Sequence, residues 1–302
     1  MRLKSALRRG VAAAVIAGIV VSSGIPAYAG TWNIADGDIT VRAGDAEGPN
    51  NVKQGDNDFV KDEGDTVITG KSDEHTVTID TSEGNVDVTF DDLKIDVSGK
   101  KEGDGSGDSP VDAGKAAVTV QGDHDATIEL DGKNELKSGS YNAGLEKNGH
   151  ESEGTLTIKD DKGKDGSLTA EGGDGGAGIG GGKESTGSNI TIRGGTIEAV
   201  GGSSAAGIGD GAYRASDDTD DPNPGNLYIC GDAEVTAKAG SQILDAKVPA
   251  IGGTYGEVPT ESLSDADHKV TGGRLTRYGP DGTVMAVSYT HPPSPRDGLL
   301  SR

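Results

Sequence analysis

The sequence predicts an all-β protein wound as a right-handed parallel β-helix solenoid, with three short strands per coil and a C-terminal β-hairpin cap. Three observations carry that prediction: a repeat about thirty residues long, glycine in excess over aromatics, and aliphatic runs too short to fold alone. The chain has 302 residues, of which 32% are hydrophobic, 3% aromatic and 51 glycine. That is not the composition of an ordinary enzyme core.

The repeat is read by self-comparison, because a fixed period outranks local propensity. Laid over residues 195–211, residues 166–182 are identical at nine of 17 positions at a constant offset of 29, each block ending in Ala-Gly-Ile-Gly-x-Gly. Weaker copies extend the series, and three sets of positions align. A first strand centres on Ile128, Ile158, Ile192 and Ile229; a second on Leu136, Leu168, Ile197 and Val235; a third on Leu145, Ile179, Ile208 and Ile251. Spacing within a set runs from 29 to 43 residues, so each turn has a fixed core and variable loops, as in a solenoid. Runs of three to five residues joined by Gly-Gly pairs such as Gly194-Gly195 show no mutual pairing pattern, so they pair between coils and stack Ile179 on Ile208. Each ordered glycine costs about 0.5–1 kcal/mol relative to alanine, and each buried aliphatic side chain contributes about 1.5–3 kcal/mol. A charge at Ile179 or Ile208 should therefore break the stack.

Upstream, Thr76 to Ile79, Val86 to Phe90, Leu93 to Val97 and Ala117 to Val120 read as irregular N-terminal coils, interrupted by a polar loop over 99–109. Downstream, two strands flank Pro280-Asp281-Gly282, the hairpin expected to cover the last edge. The expected organisation is a signal peptide over 1–29, the β-helix domain over 30–256, a linker over 257–268, the hairpin cap over 269–290 and a tail over 291–302.

The N-terminus combines a basic start, an apolar run from Val11 to Val21 and the small-x-small sequence Ala27-Tyr28-Ala29, the pattern of a secretory signal cut after Ala29. The run falls short of the roughly 20 residues that span a bilayer. A single cysteine, Cys230, leaves no internal disulfide. The expected location is secreted or extracellular, with cell-surface association open. The net charge is −22, and removing the four cations of the signal leaves −26. Nucleic acid and anionic lipid would be repelled, whereas bound cations are favoured.

Several motifs fail on inspection. Gly172 to Gly180 approaches the calcium-binding nonapeptide of β-rolls but has Ala177, and in the second copy Ala206, where the ligand Asp belongs. Gly176-x-Gly178-x-x-Gly181 lacks a following helix, and Gly182-Lys183 lacks the rest of a phosphate loop. Acidic clusters are the stronger candidates: Asp36/Asp38, Asp56/Asp58/Asp62, Asp91/Asp92, Asp104/Asp108, Asp123/Asp125, Asp160/Asp161 and the run Asp217, Asp218, Asp220 and Asp221. Calcium takes six to eight oxygen ligands, and this last run is the candidate Ca2+ site. Arg193 and Arg214 are the only arginines between Lys100 and Gly256, and Arg193 reads as a surface charge paired with Glu198. The histidines show no metal spacing. Sugars stack on aromatic rings; of Tyr141, Tyr213 and Tyr228, Tyr213 beside the acidic run is the candidate carbohydrate contact.

The paired Gly-Gly-x-x-x-Ala-Gly-Ile-Gly blocks, with Ser188-Asn-Ile-Thr-Ile-Arg-Gly-Gly-Thr-Ile-Glu-Ala199 between them, resemble the secreted bacterial proteins named as carbohydrate-binding domain-containing over residues 126–255. Those are similar to a right-handed parallel β-helix family that binds plant cell-wall polysaccharide, acidic pectin or cellulose, with calcium. The resemblance implies a secreted, non-catalytic polysaccharide-binding protein, calcium-assisted, and assigns no ligand to a numbered residue. The alternatives are a polysaccharide lyase or epimerase, which needs Arg or Lys beside a carboxylate cluster on one sheet face, and a cell-surface adhesive or structural spacer.

Overall fold

The computed structural model describes residues 30–44, 48–100, 114–212, 226–241, 248–253, 256–257 and 268–289. Alternation shapes each strand. In Leu156–Lys159 and Ile190–Ile192 the aliphatic residues are buried and the threonines between them half-buried, so every strand turns one face inward. Strands this short pair with their counterparts one coil away, and the result is a parallel β-helix with three strands per coil. Ala126–Asp131, Leu156–Lys159, Ile190–Ile192, Leu227–Ile229 and His268–Val270 form the first row. Lys133–Lys137, Ser167–Glu171, Thr196–Val200, Glu234–Lys238 and Arg274–Tyr278 form the second. Val118–Gln121, Leu145–Glu146, Ile179–Gly180, Ile208–Gly209 and Ile251–Gly253 belong to the third.

The expected columns are in register for the first and third rows. Ile128, Ile158, Ile192 and Ile229 stack in sequence, as do Leu145, Ile179, Ile208 and Ile251. In the second row Leu168, Ile197 and Val235 stack and Leu275 continues them, but Leu136 does not begin that column. Leu136 lies opposite Ala170, and Asn134 occupies the position below Leu168. The polar residue is satisfied there: buried Asn134 accepts from the Leu93 amide at 2.9 Å and donates to the carbonyls of Asp131 and Ser167 at 3.1 Å.

The two upstream strands expected over Val86 to Phe90 and Leu93 to Val97 are one strand, Val86–Asp96. Its first half pairs with Ala126–Asp131 and its second with Lys133–Lys137, joining the first and second rows into one fourteen-stranded sheet. Asp92, at φ 51°, marks the bend between the halves.

The ends differ from the middle. At the N-terminus Ile34 is fully buried, Ile39–Arg42 joins the third row through Val77–Asp80, and Asn51–Gln54 and Val60–Lys61 add two antiparallel strands. At the C-terminus Arg274–Tyr278 is both the last parallel rung of the second row and the first arm of a hairpin with Val284–Tyr289. The turn at Asp281 is fixed by its carboxylate, which accepts from the Thr283 hydroxyl at 2.6 Å and amide at 2.9 Å. Those bonds hold the Asp281 carboxyl below its ordinary pKa. The structure places Glu257 and His268, the ends of the expected linker, in strands Gly256–Glu257 and His268–Val270. Among the described residues no helix is long and apolar enough to cross a membrane.

Glycine is obligatory at one corner of the third row. Gly180, Gly209 and Gly252 stack directly, at φ 133°, 128° and 126°. A Cβ on Gly209 would lie 2.4 Å from the Gly252 carbonyl oxygen, which backbone pairing holds in place. Gly209→Ala should therefore cost about 3 kcal/mol or more, from positive-φ strain and overpacking together. Gly55→Ala, at φ 57° with nothing within 4 Å, should cost about 1 kcal/mol. Urea midpoints of the two variants check the difference.

Candidate functional site

Tyr213, Arg214, Asp217, Asp218, Asp220 and Asp221, the residues favoured from sequence, lie outside the described residues, as do Asp104 and Asp108. Other acidic residues from the clusters can be placed, and five of them hold backbone amides. Asp38 accepts from Thr76 N at 2.8 Å, Asp92 from Lys133 N at 2.8 Å and Asp125 from Thr155 N at 2.8 Å, each clamping one coil to the next. Asp62 holds Gly30 N and the Trp32 indole, and Asp160 holds the amides of Lys164 and Gly166. Burial, then the neighbouring carboxylates of Asp131 and Asp92, raises the pKa of Asp91. Among the described residues no group of three or more His, Cys, Asp or Glu side chains is arranged to hold a metal ion.

The described surface offers a different feature. A cleft of about 370 Å³ lies on the outer face of the first row. Its floor follows from strand alternation: Asp87, Thr127 and Thr157 occupy one outward column, which Thr191 and Tyr228 continue beyond the cleft. At about 4.8 Å per rung, the column from Asp87 to Tyr228 is about 19 Å long. Beside it run Thr89, Glu129 and Lys159, with Arg193 following the Ile192 rung. Asp65 and Lys162 line one flank.

Glu129, only 4% exposed, anchors this arrangement. One carboxylate oxygen accepts from the amides of Asp161 at 2.8 Å and Lys162 at 2.7 Å, and the other lies 3.3 Å from Lys159 Nζ. Burial alone would lower the Lys159 pKa, but hydrogen bonds to Asp161 and Glu129 outweigh it and raise the ammonium above its ordinary value. Lys162 reaches back across 97 residues to Asp65, 2.5 Å away. Both partners are more than half exposed, so this pair is worth about 0–1 kcal/mol and opens readily. Arg193 is exposed and lines the cleft. Its expected pairing with Glu198 is not formed: Glu198 pairs with Lys238 from the next rung, leaving the guanidinium on the first row without an ion pair among the described residues.

Three cations thus face three carboxylates in this cleft, on a chain whose net charge is −22. Two of the carboxylates have partners: one oxygen of Glu129 accepts from two amides and the other lies 3.3 Å from Lys159 Nζ, and Asp65 pairs with Lys162. The arrangement suits hydroxyl-rich, acidic ligands, for which threonine hydroxyls and charged donors supply hydrogen bonds. Of the candidate aromatics, Tyr141 is covered by the Lys183 ammonium at 3.9 Å from its ring centroid, and Tyr228 is half-buried at the end of the threonine column.

The fold and repeat define the protein as one built from β-helix repeats. A family model described as Beta helix repeat matches residues 164–183 and 190–212, the two blocks that stack Ile179 on Ile208. No curated protein and no solved structure shows significant similarity to the chain.

Proposed function

We propose that the chain is an exported, non-catalytic β-helix that binds an extracellular acidic polysaccharide along the outer face of the first row. The observation that carries this reading is the cleft itself: a threonine column with Lys159, Lys162 and Arg193 beside it, on an otherwise anionic molecule. A column about 19 Å long at about 4.8 Å per rung suits a polymer better than a small metabolite. Calcium at Asp217, Asp218, Asp220 and Asp221 is a second source of counter-charge, which excess chelator isolates. Sugar stacking on Tyr213 belongs to the same proposal.

A glycan array with and without calcium tests it. Acidic glycans should bind, and binding that survives chelator leaves the cleft cations as the counter-charge. Lys162→Ala and Arg193→Ala should each weaken binding about tenfold or more, the loss of one charge-assisted hydrogen bond. Failure to bind any glycan would remove the reading. One observation favours a second reading: Arg193 shares the cleft with Asp87 and Glu129, the pairing that a lyase or epimerase needs. Ultraviolet-absorbing unsaturated products from polygalacturonate would establish the lyase.

A further inference from the structure

The corners that lead out of the third row hold a serine, a histidine and a carboxylate that the cleft does not use. His150 and Glu151 lie on the corner between Leu145–Glu146 and Leu156–Lys159, and Ser185 lies on the matching corner of the next coil, between Ile179–Gly180 and Ile190–Ile192. Stacking of the coils brings them together. The two corners are pinned by the Gly149 amide, which donates to the Thr186 carbonyl at 2.7 Å, and by a single antiparallel bridge between Asn148 and Gly187. His150 Nε2 lies 3.5 Å from Glu151 Oε1. That carboxylate favours the tautomer with its proton on Nε2, so Nδ1 is an acceptor and the Ser185 hydroxyl donates to it at 3.1 Å. Glu151 is held in turn: its other oxygen accepts from Asn148 Nδ2 at 3.1 Å, while Asn148 Oδ1 accepts from the Gly182 amide at 2.8 Å.

A hydroxyl within reach of a base that a third group orients is the arrangement of an activated nucleophile. Glu184, at φ 64°, bends the chain just before the serine. The Thr186 amide just after it makes no hydrogen bond among the described residues and is free to meet an oxyanion. Ser185 is only 4% exposed, beneath an imidazole whose side chain is 65% exposed. Such a serine has room for a small acyl group and not for a long one. We propose that Ser185 is an acylation site that takes an acetyl group from a carboxylic ester. The Ser185 oxygen attacks the ester carbonyl carbon and its proton passes to His150 Nδ1. The bond from that carbon to the alcohol oxygen then breaks, and the leaving alkoxide takes the proton from Nδ1. The products are an acetyl ester on Ser185 and a free alcohol. The transfer is a modification of the chain, made once per molecule, and does not depend on what the cleft binds.

Incubation of the purified chain with p-nitrophenyl acetate, followed by peptide mass spectrometry, tests it. Ser185 should carry one acetyl group, and Ser185→Ala should lose that label while surface lysines label as before. His150→Ala should slow acetylation of Ser185 about a hundredfold or more, the usual contribution of a general base. Imidazole added to the buffer should restore it, which a merely structural histidine would not allow. Glu151→Gln should lower the limiting rate about tenfold or more and leave the half-saturating ester concentration unchanged, because Glu151 acts through His150 as a positioning residue. Circular dichroism of each variant guards against misfolding. Ser185 left unlabelled in the wild type, or labelled equally fast in His150→Ala, would overturn the proposal.

Discussion

Ile208→Asp should destabilise the protein by about 5 kcal/mol or more and open the coils on either side of the substitution. Ile208 is 1% exposed and stacked between Ile179 and Ile251. The change removes about 1.5–3 kcal/mol of apolar burial. It also places a carboxylate where nothing in the column can accept or return a hydrogen bond, at several kcal/mol more. Against total stabilities of about 5–15 kcal/mol, that is enough to unfold a coil. Because each coil touches only its neighbours, the damage should be local at first. Hydrogen exchange should lose protection at Ile179–Gly180 and Ile251–Gly253 while the N-terminal coils keep theirs. Ile208→Val, costing about 0.5–1.5 kcal/mol, serves as the control. Uniform, wild-type protection in Ile208→Asp would contradict the stacking account.

The second large effect concerns Lys147, which is fully buried just beyond the third-row strand Leu145–Glu146. Its ammonium donates to the Ser152 carbonyl at 2.8 Å, and the buried Ser152 hydroxyl beside it has no hydrogen-bond partner. Burial, offset in part by Asp125, lowers the Lys147 pKa from 10.5 to about 8. The folded state therefore binds this proton less tightly than the unfolded chain does. The burial penalty is fully present below pH 8, and between about pH 8 and 10.5 it is relieved, because only the unfolded chain remains protonated there. From about pH 7 to 10.5 the wild type should gain about 3 kcal/mol relative to Lys147→Met, whose side chain does not titrate. Parallel urea titrations of the two proteins at both pH values check this. A difference that stays flat with pH would mean that the lysine is solvated in the native state.

How much of this was legible in sequence depends on whether the signal was periodic. Recurring aliphatic residues 29 to 43 apart gave the first and third columns residue by residue, because a position that must point inward tolerates few alternatives. The second column failed at Leu136 because Asn134, a polar residue, fills an inward position; no hydropathy pattern reveals an amide whose hydrogen bonds are all met inside. The role of several acidic residues was hidden for a related reason. Carboxylates at coil corners hold the amides of the next coil, and by composition alone a clamp looks like a calcium ligand. The threonine column is legible too, since Thr127, Thr157 and Thr191 each sit one residue before an aligned isoleucine, although outward positions carry no hydrophobic signal to mark them as a binding face. The Lys162–Asp65 pair was not available, because the irregular N-terminal coils offered no register to bring residues 97 apart together.

A crystal structure of the chain with an acidic oligosaccharide bound tests the central claim most directly. The sugar rings should lie along Thr127, Thr157 and Thr191, with a carboxylate drawing Lys162 away from Asp65 and toward Arg193. Oligosaccharide bound elsewhere on the solenoid, with the Lys162–Asp65 pair intact and the threonine column bare, would contradict it.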